Sequence, residues 1–278
     1  MNFKILLVCL LFILSSCDNS EVRGFYSSHV DGDTRFEQSM EWNQQHGYSE
    51  LDIPQNEYSL YLMGDSHVGG TKNLAAFFAE AIEKDATAAV LLGDLTSGHK
   101  EDYEKFAENL PSKEALTYFA IVGNHDLFFD GWKSYYATFG SSSYYFTANT
   151  PAGSDLYICL DSGGGTLGKK QFDWFKKLLE TRRNNYRYCT VFSHNNLFSL
   201  GQGNSLTPMI EEVHVLLDLF TRYRVNIVGT AHDHEKNSLV LGNTTHIVVD
   251  DLQDEDEKNS YVRLTISEEK IDYSFIEL

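Results

Sequence analysis

Five apolar runs in the chain each stop at or just before residues of metal-ligand type. SLYLMG leads into Asp65, with His67 two residues on, and AAVLLG leads into Asp94. YFAIVG leads into Asn124, His125 and Asp126, TVFS into His194, and NIVGTA into His232, with His234 two residues on. Carboxylate and amide oxygens together with imidazole nitrogens are the donors that divalent cations take from proteins. In open α/β sheets, ligands bind at the edge where the strands end. Strands spread from Asp65 to His234 can therefore aim one set of donors at one place.

Positioning such a set requires strands alternating with helices. Leu74, Phe77, Phe78, Ala81 and Ile82 recur at i, i+3, i+4, i+7 and i+8, the stripe of an amphipathic helix. It lies between the Asp65 and Asp94 runs and makes a βαβ unit. Residues 171–182, with Phe172, Phe175 and Leu179, repeat the scheme, as do residues 208–224, with Met209, Val213, Leu216, Leu217 and Phe220. A shorter helix is expected at 34–45. SSSYYFTAN and DLYICLD, on either side of a Pro-Ala-Gly turn, read as a hairpin. The strand-rich C-terminus (NSLVL, THIVV, YVRLTI, KIDYSFIEL) is expected to build a second, largely antiparallel sheet. The fold class is α/β, a four-layer αββα sandwich of two mixed β-sheets flanked by helices.

The blocks GDSH, GDL, GNHD, SHN and AHDH, in this order, resemble the calcineurin-like metallophosphoesterase superfamily, whose pattern is D-x-H, G-D, G-N-H-[DE], H and G-H-x-H. The resemblance runs from Tyr58 to Leu278. It implies a metallophosphoesterase with two divalent metal ions, Mn, Fe or Zn, hydrolysing a phosphomonoester or phosphodiester by in-line attack of a metal-bridging hydroxide. One ion would take Asp65, His67 and His234, the other Asn124, His194 and His232. Asp94 would bridge, because cations only about 3.5–4 Å apart need an anion between them. His125 would protonate or stabilise the leaving oxygen.

The chain departs from the pattern in places. Ser97 stands where purple acid phosphatases carry an iron-binding Tyr, which disfavours a ferric centre. It also stands where calcineurin-type phosphatases carry an Asp that orients the catalytic His, so Asp126 is the candidate orienting partner for His125. Ala231 replaces the usual Gly. Asn195 follows His194 where many relatives have a second His, and is a candidate substrate contact.

Each block alone has a plainer reading. A single His at a strand end is usually a hydrogen-bonded core or surface residue, and Asp-Gly or Asn-Gly types are common turn formers. Five ligand-type blocks in family order make coincidence a poor account. Of the remaining histidines, only His99 is placed to approach the site. The rival function is a non-catalytic binding protein that retained the fold, since fold alone does not fix activity.

With a formal charge of −18 over 278 residues, the chain repels nucleic-acid polymers and anionic lipid. An anionic substrate then needs local positive charge, which bound metals can supply. Residues 1–16 read as a lipoprotein signal peptide: Lys4, an apolar stretch too short to span a bilayer, then Leu14-Ser15-Ser16-Cys17, which resembles a lipobox. Cys17 would carry lipid, making the protein exported and anchored to a bacterial membrane, periplasmic or at the cell surface. Residues 17–57 are expected to be a tether with a short helix, and 58–278 the catalytic domain. Cys159 and Cys189, each inside an apolar run, are expected to be buried thiols rather than a disulfide. The acidic run 250–257 reads as a solvated loop. Loops 128–136, 163–168 and 195–207 are expected to set specificity. Their aromatics, Phe128, Phe129, Trp132, Tyr135 and Phe198, favour an apolar or planar leaving group.

Overall fold

A computed structural model describes residues 24, 26–198, 209–254 and 259–278. The signal segment and Cys17 lie outside the described residues, as do most of loop 195–207 and the end of the acidic run. The chain opens with α1 (Gly32–His46), β1 (Glu50–Asp52), β2 (Tyr58–Met63), α2 (Lys72–Glu83), β3 (Ala88–Leu91), α3 (Lys100–Asn109) and β4 (Tyr118–Ala120). It continues with α4 (Trp132–Phe139), β5 (Tyr144–Thr150), β6 (Gly153–Cys159), α5 (Lys169–Arg182), β7 (Cys189–Phe192), α6 (Ile210–Arg222) and β8 (Ile227–Thr230). It closes with β9 (Asn237–Leu241), β10 (Thr244–Val248), β11 (Ser260–Ile266) and β12 (Ile271–Glu277).

The strands make a seven-stranded sheet, β1-β5-β6-β7-β8-β10-β9, and a five-stranded sheet, β12-β11-β2-β3-β4. Both mix parallel and antiparallel pairs. The central strands β3, β7 and β8 read as near-continuous apolar runs because they are covered on both faces. On β2, Leu60 and Leu62 enter the core between the sheets, where they meet Phe146, Phe192 and Ile247. Tyr61 and Met63 point the other way, onto Leu74 and Phe77 of α2 and Phe106 of α3. The outer face of the larger sheet packs Ile158, Val191 and Val228 against Phe175 of α5 and Phe220 of α6. Helix, sheet, sheet and helix thus give the four layers that the sequence led us to expect.

Two details differ from the sequence reading. The C-terminal strands do not form a sheet of their own. β9 and β10 extend the larger sheet from β8, and β11 and β12 complete the smaller one against β2. Tertiary pairing decided the partners, which local patterning cannot reveal. On α2, Leu74, Phe77, Phe78 and Ala81 are buried, but Ile82 is exposed at the edge of the stripe.

The stretch expected to hold a short helix forms α1. Its N-cap is Asp31, which accepts hydrogen bonds from the Thr34 backbone N–H (3.0 Å) and hydroxyl (2.8 Å). Far from hanging free, it packs on α5 and the α4 region: Gln38 accepts from the Trp132 indole, and Trp42 meets the Tyr136 ring at 5.6 Å. Cys159 and Cys189 are both free and buried. They belong to cores on opposite faces of the larger sheet, and burial pushes both thiols up to about 12.

Candidate metal centre

The candidate ligands sit beyond the strands rather than on them. β2 ends at Met63 and Asp65 follows two residues later; β4 ends at Ala120 and Asn124 follows four later. A two-residue strand period therefore does not account for the D-x-H and H-x-H pairs. Left-handed backbone does. Asp65 (φ 51°), His67 (41°), Asp94 (51°), His232 (79°) and His234 (54°) are five of the nine non-glycine residues with positive φ among those described. Such conformations cost roughly 1–3 kcal/mol each and persist where the surroundings over-determine them. Their concentration where strands of both sheets end marks the place as functional.

Two glycines let these turns close on one another. A Cβ on Gly93 (φ 91°) would lie 2.7 Å from the Gly123 nitrogen and 2.8 Å from His194 Nδ1. One on Gly123 would lie 2.2 Å from Asp94 Oδ1. The glycines of the GDL and GNHD blocks are therefore steric requirements of the close approach. Ala231 is accommodated by the opposite choice: Gly64 has no side chain where a Cβ would come 2.6 Å from the alanine methyl.

The seven side chains proposed as ligands converge in two groups that share Asp94. In the first, His67 Nε2 and His234 Nε2 are 3.2 Å apart, with Asp65 Oδ1 3.6 Å from His234 Nε2. In the second, His194 Nε2 lies 3.1 Å from Asn124 Oδ1 and 3.2 Å from His232 Nδ1. Asp94 Oδ2 stands between, 3.2 Å from His194 Nε2 and 3.9 Å from His67 Nε2.

This arrangement fits a cation. His194 Nδ1 faces the Leu92 carbonyl at 2.8 Å and must donate to it, so in the neutral ring Nε2 is left with a lone pair. That lone pair points at other electron-rich atoms. Asp65 Oδ1 is buried with no hydrogen-bond partner, a costly state that coordination would relieve. His194 is fully buried while the His234 side chain is 37% exposed, so the cluster opens to solvent on the His67–His234 side. Among the described residues, no Lys or Arg forms an ion pair with the cluster, so its own cationic groups are imidazoles, and bound metal would supply the lasting charge an anionic substrate needs.

The titration behaviour is that of a crowded ligand set. Burial pushes Asp65 up to about 7, against the pull of His194 and His234. Burial would raise Asp94 too, but His194 and its neighbours hold it well below the usual carboxylate range. Burial takes His67 down to about 3, and burial with His194 takes His232 down to about 4. For His194, burial is outweighed by Asp94, which with Asp65 carries it up to about 9. His234 also rises to about 9, burial being outweighed by the hydrogen bond its ring donates to Asp251 and by the charge of Asp65. Metal ligation needs these imidazoles neutral, so loading must expel protons.

His125 stands at the mouth. Its backbone N–H donates to Asp94 Oδ1 (2.7 Å), and its ring stands edge-on to that of His67 at 4.5 Å. Asp126 does not orient it. The Asp126 carboxylate is fully buried and accepts from the backbone N–H groups of Leu95, Thr96 and Gly123 and from the Thr96 hydroxyl. It ties the loop after β3 to the loop after β4, with burial raising it to about 6. Asn195 is buried with both amide atoms unpartnered, and it lines a cavity of about 20 Å³ beside Glu212, Leu216 and Phe220 of α6. None of the candidate ligands lines that cavity.

The aromatics expected to receive a planar leaving group are otherwise engaged. Phe128, Trp132 and Tyr135 are buried, Phe129 stacks on His99 at 4.0 Å, and Phe198 meets His246 edge-on at 4.9 Å. They pack the loops, and the preference read from them loses its support. His99, so stacked, belongs to none of the ligand groups.

The acidic run supplies what the sequence did not reveal. Asp250 and Asp251 are buried, and Asp251 Oδ2 lies 3.5 Å from His234 Nδ1. Gln253 Nε2 approaches the same nitrogen at 3.2 Å. Asp254 accepts from the backbone N–H groups of Lys72 (3.0 Å) and Asn73 (2.8 Å), capping α2. The signal for Asp251 was its place just past an apolar strand, the same cue that marked the other blocks.

Several solved structures share the fold. A dimetal phosphatase from Danio rerio superposes with a TM-score of 0.64 at 11% identity, covering 78% of this chain and 95% of that one. The anchor in the inner membrane complex of Plasmodium gives 0.60 at 12% identity, covering 80% and 85%. A putative 5′-nucleotidase from Staphylococcus aureus gives 0.50 at 14% identity, covering 80% of this chain and 53% of that one. No curated protein sequence matches the chain. Residues 58–236 match the model of the calcineurin-like phosphoesterase family. With the match spanning more than half of the sequence, and the ligand-type residues gathered where strands of both sheets end, the chain belongs to the calcineurin-like phosphoesterases, metal-dependent hydrolases of phosphoric esters.

Proposed function

We propose that the protein binds two divalent cations and hydrolyses a phosphomonoester or phosphodiester outside the cytoplasm. One observation carries the binuclear reading: a single carboxylate oxygen, Asp94 Oδ2, faces two separate imidazole groups, at 3.2 Å and 3.9 Å. Asp65, His67 and His234 would hold one ion and Asn124, His194 and His232 the other, with Asp94 shared. Bound there, Mn²⁺, Fe²⁺ or Zn²⁺ would acidify a water and offset phosphate charge.

The chain's own residues do the rest. Asp65 Oδ2 accepts from the His232 backbone N–H (2.8 Å), so one carboxylate locks the two halves of the site together. His194 is held in one tautomer by Leu92. His125, partly exposed and with no described hydrogen bond on its ring, is free to pass a proton to the departing oxygen. Residues 14–17 support export and acylation at Cys17.

The test is hydrolysis of p-nitrophenyl phosphate and its bis ester by Mn²⁺-loaded protein. Asp94→Asn is expected to reduce turnover by at least about 10³-fold and to lower the metal content below two ions per chain, given the bridging role. Wild-type protein shown to hold two ions yet inert on both esters and on a wider phosphoester panel would overturn the hydrolase assignment.

A further inference from the structure

We propose that Arg35, on α1 and outside the family match, is a positioning residue for the metal centre. The proposal rests on the binuclear reading above. Arg35 is 2% exposed, and all its guanidinium nitrogens are engaged. Nε donates to Asp161 Oδ2 at 2.7 Å, Nη2 to Asp161 Oδ1 at 3.0 Å, and Nη1 to the Val30 carbonyl at 2.6 Å. Bidentate geometry fixes orientation as well as distance. A buried ion pair adds little net stability over an apolar pair of the same size, so the value of this one lies in what it places.

What it places is the turn after β6. Gln171 of α5 brackets the Asp161 peptide, accepting from its N–H and donating to its carbonyl, each at 2.8 Å. With Asp161 held by backbone and side chain, the next two residues reach the metal centre. Ser162 Oγ accepts from the backbone N–H groups of His194 (3.0 Å) and Asn195 (2.9 Å). Gly163 lies so close to Gly123 that a Cβ would stand 2.7 Å from its carbonyl oxygen, one residue before Asn124. The chain of contact runs from α1 through Asp161 to Asn124 and His194, both ligands of the same proposed ion. Asp65, His67 and His234 have no hydrogen bond to this turn among the described residues. The latch therefore acts on one ion and spares the other.

The test is a Mn²⁺ titration of the full-length protein, with Zn²⁺ in parallel, together with thermal melts and steady-state kinetics. Arg35→Lys keeps the charge and loses the fork; Ser162→Ala removes the shared acceptor with little change of volume. Each is expected to weaken one of the two ions by about 10–100-fold, the usual reach of groups behind a ligand. The second ion should be unchanged, and kcat should fall while KM stays within about twofold. Glu37→Gln breaks the exposed Lys170–Glu37 pair between the same helix and α5, and should alter neither ion. Unchanged affinities in both variants would overturn the proposal. So would equal weakening of both ions in step with a lowered melting temperature, which would mean a general loss of packing. If the wild type binds one ion, the binuclear reading fails, and the latch stands only if Arg35→Lys weakens that ion. A wild type that binds neither metal overturns both.

Discussion

His234 is the most exposed of the candidate ligands, and its orientation depends on a residue outside the family match. Asp251 stands 3.5 Å from Nδ1 on the far side of the ring from the cluster, and is itself held by the Asn259 amide at 2.9 Å. Partners of this kind set the tautomer and basicity of a ligating histidine. Asp251→Asn is therefore expected to lower metal affinity by about 10–100-fold with little loss of fold. A Mn²⁺ titration indistinguishable from wild type would remove Asp251 from the site. That the seven candidate ligands converge was legible, because each block set ligand-type residues just past an apolar run. Asp251 was not, because four further acidic residues follow within a few positions and give the run the look of a solvated loop. Its burial comes from Asn259 and His234, contacts that the local sequence does not display. Asp126 misled for a related reason: adjacency to His125 suggested partnership, whereas the turn after Asn124 sends its carboxylate back under the Leu95 and Thr96 amides.

Strands and helices were legible where apolar periodicity was strong, as on α2, α5 and α6, and the βαβ order followed from them. The assignment of the last four strands to two different sheets was not, since pairing partners are chosen by the whole core. The turns at the strand ends carry their own test. Gly64→Ala should be destabilising, because its Cβ would come within 2.6 Å of the Ala231 methyl. Ala231→Gly should recover part of the loss, a coupling on the order of 0.5–3 kcal/mol by the double-mutant cycle. Additive effects would mean that the two turns do not meet. On β10, burial pushes the His246 imidazole down to about 4, below its unfolded value of about 6.5. Between these pH values the unfolded chain holds more protons than the folded one. Stability is thus lost as pH falls from about 6.5 toward 4, by at most about 1.4 kcal/mol per pH unit. His246→Leu should narrow the gap between urea midpoints measured at about pH 7 and about pH 5. An unaltered gap would place the acid sensitivity elsewhere.

At the scale of the molecule, the cluster joins ligands from beyond β2, β3 and β4 of one sheet to ligands from beyond β7 and β8 of the other. Bound cations would tie the two sheets together at one edge. Saturating Mn²⁺ should therefore raise thermal stability and a chelator should lower it, with about 2.7 kcal/mol expected at a hundredfold excess over Kd. A melting temperature indifferent to both would mean that the edge is rigid without metal. The N-terminal segment has a consequence of its own. Gly24 sits directly on Phe128, where a Cβ would be 2.9 Å from that side chain, three residues from His125. Counted from the proposed acyl anchor at Cys17, seven peptide steps separate the bilayer from this contact, about 25 Å at full stretch. So short a mooring would confine the catalytic mouth to the first few nanometres above the lipid headgroups. Phosphoesters carried by the membrane itself would then lie within reach, alongside soluble ones that diffuse to the surface.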